Sequence, residues 1–143
     1  MANRAKALVP LLVAVALSAG TGGCSGTPRL EITGQKARIS PSLVGVCAVF
    51  MNIANPGDGD DALVGASVEV PGTVAEIHDV RDGRMVRSER ARIPAHGALE
   101  LRPGGLHIMV FDLPPDIGAG SEIRLRLVFE TSGEKVTSVK IGG

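Results

Sequence analysis

The segment Gly104-Gly105-Leu106-His107-Ile108-Met109-Val110-Phe111 places an imidazole and a thioether two positions apart in an otherwise apolar run. Successive side chains of a β-strand point to opposite faces, so His107 and Met109 share one face while Ile108 and Val110 share the other. A second such pair lies upstream. His78 sits on a strand-like segment leading into Asp82-Gly83, and Met85 lies just past that dipeptide. Asp-Gly between two such segments is hairpin chemistry, and a tight hairpin folds His78 and Met85 back toward each other. Two imidazoles with two thioethers make an N2S2 set that favours Cu(I), a soft ion with no need of carboxylates. Zinc more naturally takes cysteine, histidine and carboxylate. His78, Met85, His107 and Met109 are therefore the candidate metal ligands, with Cu(I) as the metal.

Other residues of chemical interest read as structural. Met51 alternates with Val49 and Ile53 on what should be a buried face, and Cys47 shares that face, where a cysteine behaves as a small hydrophobe. His96, in Pro94-Ala95-His96-Gly97, reads as a solvated loop residue. Asp58, Asp60 and Asp61 lack the spacing and terminal glutamate of a calcium loop and read as turn chemistry with a solvated surface. No serine has a nucleophile-elbow context and no histidine–acid pairing stands out, so an enzyme is not expected.

The elements that must position the four ligands are strands. Residues 122–130 alternate Ile123, Leu125, Leu127 and Phe129 against Glu122, Arg124, Arg126 and Val128, the pattern of a half-buried strand. Shorter runs of this kind fall at 47–54, 63–70, 74–80, 98–101 and 136–141. Asn55-Pro56-Gly57, Pro71-Gly72, Asp82-Gly83, Pro103-Gly104-Gly105, Pro114-Pro115 and Ser132-Gly133 punctuate them as turns. No long stretch has a helical period. The chain reads as all-β, a sandwich of two antiparallel sheets or a Greek-key barrel.

The N-terminus speaks to compartment. Arg4 and Lys6 precede an uncharged apolar run from Ala7 to Ala19, and small residues follow to Cys24. This is an export signal, because the run is shorter than the roughly 20 residues a spanning helix needs. Gly22-Gly23-Cys24 resembles a bacterial lipobox, with Thr21 in place of the usual leucine. The expected organisation is a signal peptide at 1–23, a lipidated Cys24 and tether at 24–34, and one domain at 35–143. The mature chain would be anchored by lipid to the outer face of the cell membrane. The 15 Lys and Arg against 15 Asp and Glu leave no basic excess for nucleic acid. With no Trp and no Tyr, stacking platforms for sugars or single strands are lacking.

Longer stretches carry a family resemblance. The "E-x-H" at Glu76-Ile77-His78, the "I-P-A" at Ile93-Pro94-Ala95 and Leu101-Arg102-Pro103-Gly104-Gly105-Leu106-His107-Ile108-Met109 resemble the motifs of the PCuAC family of periplasmic copper chaperones. So does the run from Cys47 to Ser67, which looks like the family's opening strand, its Asn-x-Gly-x-x-Asp-x-Leu turn and its following strand. The resemblance covers about residues 35–142. It implies a cupredoxin-like, Ig-like Greek-key β-sandwich that holds Cu(I) and passes it by ligand exchange to the copper centre of a haem-copper oxidase. The implied partners are an oxidase subunit, a Sco-type thiol protein, or both, with the chaperone a monomer. The family spacing is His, about ten residues, Met, twenty-one residues, His-x-Met. Here the first gap is six residues and the second twenty-one. Met85 fits the second gap, and Arg87 is the alternative occupant of the methionine position if the turn absorbs the shortening. Two other classes remain open: a lipid-anchored adhesion or binding module, and an electron-transfer cupredoxin, for which Cys47 would have to supply the thiolate.

Overall fold

The computed structural model describes residues 26–142. The export signal and Cys24 lie outside the described residues. The elements are β1 (Glu31–Ile39), β2 (Cys47–Asn55), β3 (Asp61–Val68), β4 (Val74–Arg81), β5 (Arg84–Arg87), β6 (Ala91–Ile93), β7 (Gly97–Leu101), β8 (His107–Phe111), β9 (Glu122–Phe129) and β10 (Gly133–Gly142). The described chain is all-β, as its periodicity predicts.

One sheet runs in the order β5-β4-β8-β2-β1-β10-β9-β3-β6, with β7 paired to the far half of β2. The link in the middle is short and parallel: β1 meets β10 only at Ala37–Ile141 and Arg38–Gly142. All other pairings are antiparallel. The sheet folds about that link into two facing layers, so the expected sandwich forms from layers that are continuous rather than separate. Between them lies the core. Val49 and Ile53 of β2, Ile108 and Val110 of β8, Leu63 of β3, Ile93 of β6, Ile123, Leu125 and Leu127 of β9, and Val139 and Ile141 of β10 are fully buried there. Each such side chain contributes about 1.5–3 kcal/mol by leaving water. Met51 and Cys47 join this core, as their alternation implies.

Two expectations need correction. The tether does not extend to residue 34: β1 begins at Glu31, Leu30 packs on the core, and the Arg29 N–H donates to the Asn55 Oδ1 at 3.0 Å. Paired backbone holds this segment to the domain. Asp61 is not solvated but buried, because its carboxylate accepts the backbone N–H groups of Ala62, Thr131 and Ser132 at 2.8, 2.8 and 2.9 Å. Asp60 and Asp58 are on the surface as expected, Asp60 paired with Arg92 and Asp58 with the exposed His96.

The hairpin that carries Met85 is set by its turn. Asp82 and Gly83 both have positive φ, 51° and 71°, the backbone of the two-residue turns whose twist matches paired strands. Such a turn leaves no freedom of register. Arg81 faces Arg84, Val80 faces Met85, and His78 faces Arg87.

Candidate metal centre

Alternation and register together assemble one outer face of the β5-β4-β8-β2 layer. Ile77 and Ile108 point into the core, so Glu76, His78 and Val80 of β4 and His107 and Met109 of β8 point out. The β4–β8 pairing puts His78 directly opposite His107, and Glu76 opposite Met109. The β2–β8 pairing sets Ala48 beside Met109. Residues 29 positions apart in the chain thus become lateral neighbours.

The two imidazoles are held at an edge-on angle, with ring centroids 6.1 Å apart. Phe50 lies 6.3 Å from the His107 ring and Phe111 5.9 Å from the His78 ring, tilted at 51° and 50° to them. The His107 Nδ1–H donates to the Gly105 carbonyl at 2.7 Å, since a carbonyl oxygen can only accept. In the neutral ring Nε2 is then bare. Gly104, at φ +77°, makes the turn that brings this carbonyl round, and the Arg102 N–H closes it on the Leu106 carbonyl at 2.7 Å. On His78 it is Nε2 that lies 2.9 Å from the Glu76 Oε2, while Nδ1 is buried with no hydrogen-bond partner. The other Glu76 oxygen, Oε1, is 3.1 Å from Arg87 Nη1. The hydrogen bond from His78, with Arg87 adding to it, holds the Glu76 carboxyl below its ordinary value.

Met85, His107 and Met109 line a single cleft of about 390 Å³, together with Phe50, Val80, Ala48, Arg38 and the Pro103-Gly104 turn. His107 and Met109 form its floor, only 4% and 7% exposed, and Met85 stands at its rim, 53% exposed. One thioether is thus open to solvent and the other is covered. The structure brings three of the four candidate ligands into this cleft and sets the fourth, His78, beside His107. Met85 lies one diagonal step from His78, and Arg87 takes the directly opposed position. Arg87 is a cation without lone pairs to donate, and it is occupied by Glu76.

This donor set fits a soft monovalent ion. It offers imidazole nitrogen and thioether sulfur, and one buried nitrogen, His78 Nδ1, that no group among the described residues satisfies. Among the described residues, no three His, Cys, Asp or Glu side chains converge at metal-binding distance. Cys47 stands apart: it faces the core opposite Val110, on the reverse side of the sheet from His107 and Met109, and burial pushes its thiol up to about 11. A cupredoxin thiolate ligand is not available from it. The contacts of Glu76 with His78 and Arg87 are the features of the site hardest to see in the sequence. Glu-x-His does place both side chains on one strand face, but the Arg87 contact depends on hairpin register.

The fold defined by this geometry is that of the PCuAC domains. The apo PCuAC domain from PmoF1 is 27% identical, with a TM-score of 0.69 over 80% of this chain and 93% of that one. The copper-bound PCuAC domain from PmoF2 superposes with a TM-score of 0.66 at 20% identity, over 80% and 92% of the two chains. The Cu(I) form of DR1885 from Deinococcus radiodurans gives 0.62 at 22% identity, over 79% of each. By sequence, residues 30–141 match the family described as "Putative lipoprotein LpqE-like", and the chain belongs to that family. "Putative lipoprotein Lxx21020" from Leifsonia xyli subsp. xyli (strain CTCB07) is 30% identical over 111 residues, a match of 74% of this chain. The matched region spans 66% of that relative's length.

Proposed function

We propose that this protein is an exported, lipid-anchored Cu(I) chaperone that holds its cargo with His78, Met85, His107 and Met109. The observation that carries this reading is the convergence of two imidazoles and two thioethers on one sheet face, each imidazole with one nitrogen free of hydrogen bonds. Copper in the structures of the PmoF2 domain and DR1885 supports the choice of metal. The lipoprotein descriptions of the family and of its Leifsonia relative support anchorage through Cys24.

The arrangement suits transfer rather than storage. All four donors are neutral, and thioethers bind a soft ion without the hold of a thiolate. The exposed Met85 is the ligand that an incoming acceptor reaches first, and His107 and Met109 retain the ion from behind until exchange is complete. The acceptor in this reading is the copper centre of a haem-copper oxidase, served directly or with a Sco-type protein. No bond is made or broken on a substrate.

Titration of the protein with Cu(I) against a chromophoric chelator tests the proposal. One tight equivalent is expected, weakened far more in Met85→Leu, His107→Ala and Met109→Leu than in Arg87→Leu, which removes no ligand. Absence of tight binding in the wild type would overturn it and leave a lipid-anchored binding module. Transfer to an apo acceptor domain then tests delivery, and retention of copper by the chaperone would count against it.

A further inference from the structure

We infer that Glu76, braced by Arg87, is a positioning residue that fixes which nitrogen His78 offers to the metal. The inference rests on the copper reading for its consequence but not for its geometry. Glu76 and His78 are two apart on β4 and share the outer face, so the carboxylate reaches along the strand to Nε2 at 2.9 Å. A carboxylate can only accept, so Nε2 carries the hydrogen. In the neutral ring that leaves Nδ1 bare, and Nδ1 is the buried atom for which the described residues supply no partner.

Glu76 is itself held. Arg87, across the hairpin from His78, takes the other carboxylate oxygen at 3.1 Å. The chain of contacts therefore runs Arg87, Glu76, His78 Nε2, and ends on a lone pair at Nδ1. His107 is built the opposite way, with its Nδ1–H on the Gly105 carbonyl and Nε2 bare. The site is thus a mixed one, Nδ1 from β4 and Nε2 from β8. The hairpin that is short by family spacing gains a role from this: its register spends the position opposite His78 on an arginine that anchors the orienting carboxylate. Met85 serves from the adjacent position.

Partners of this kind fix ring orientation and tautomer, and their loss typically costs 10–100-fold in metal affinity. The test compares wild type, Glu76→Leu and Glu76→Gln in the metal-free protein by long-range nitrogen–proton NMR of the imidazoles. A Cu(I) titration of each follows. His78 is expected as the Nε2–H tautomer in the wild type and in Glu76→Gln, whose amide oxygen still accepts. In Glu76→Leu the tautomer preference should be lost and Cu(I) affinity should fall about 10–100-fold. Combining Glu76→Leu with His78→Ala should cost no more than His78→Ala alone. An Nδ1–H tautomer in the wild type, an unchanged tautomer in Glu76→Leu, or additive losses in the double variant would each overturn the inference. Wild-type protein that shows the Nε2–H tautomer but no tight Cu(I) binding would overturn the copper reading while leaving the role of Glu76 in orienting His78 supported.

Discussion

His78 and His107 face each other across the β4–β8 pairing, yet their hydrogen-bonded nitrogens are of opposite kind, Nε2 in the first and Nδ1 in the second. Two strands running antiparallel present their rings from opposite directions. A single ion held between them would be met by different atoms of chemically identical side chains.

If both rings bind one ion, removing either weakens the same site. His78→Ala and His107→Ala should each lower Cu(I) affinity by more than the roughly 10–100-fold that outer partners cost. The double variant should lose less than the sum of the two free-energy changes, because side chains that share a partner are coupled. Chelator competition on the three variants measures this. Strict additivity would mean that the rings serve separate sites.

Met85 and Met109 separate affinity from stability. Met85 is 53% exposed and packs on little, so Met85→Leu should leave the melting temperature unchanged while weakening Cu(I) binding. Met109 is buried, and its replacement by leucine should cost less than about 1.5 kcal/mol, as volume-conserving apolar exchanges do. Peroxide should also oxidise Met85 before Met109, since susceptibility follows exposure. Peptide mass mapping after brief treatment reads the order, and prior loading with Cu(I) should protect Met85.

Asp61 ties the start of β3 to the turn between β9 and β10. Burial works against its ionisation, but the hydrogen bonds from Ser132, Thr131 and Ala62 outweigh that and leave its carboxyl below the ordinary value. A carboxyl with a depressed value in the folded state contributes stability that is present above its unfolded value of 3.8 and is lost as pH falls through the folded one. Asp61→Asn would turn an amide donor toward a backbone N–H, at a cost of about 1–3 kcal/mol. Urea unfolding at pH 7 should show that loss, and the variant should lose less than the wild type on acidification below pH 4.

Much of this was legible because strand alternation is so regular here. Ile108 and Val110 against His107 and Met109, and Ile123 through Phe129 against their charged neighbours, assign faces without any tertiary knowledge. Asp82-Gly83 announced a hairpin. What alternation could not supply was lateral placement. That His78 falls opposite both Arg87 and His107 depends on turn geometry on one side and on a long-range pairing on the other. The first strand was hidden because Glu31–Ile39 has mixed polarity and a register shift between Thr33 and Lys36, which breaks the two-residue period. The burial of Asp61 is hidden for a related cause: an acid next to a glycine-rich turn looks solvated until the chain 70 residues later folds its backbone N–H groups over it.

Cys47 gives the fold a weakness at high pH. Burial raises its thiol from 9.0 to about 11, so the unfolded chain ionises first as pH climbs. Between about 9 and 11 the unfolded state binds fewer protons than the folded one, and stability must fall with pH, by on the order of 2 kcal/mol at the top of the window. The chain has no tyrosine, but its lysines titrate in the same range, so the effect is read as the difference from Cys47→Ala. Cys47→Ala should be less stable at pH 7, having lost buried sulfur from the core, but its stability should decline less steeply from pH 9 to 11. Denaturant unfolding of both proteins across that window measures the two slopes. Equal slopes would mean that the Cys47 side chain is reached by water in the native state, and a thiol reagent at pH 8 should then modify it without unfolding.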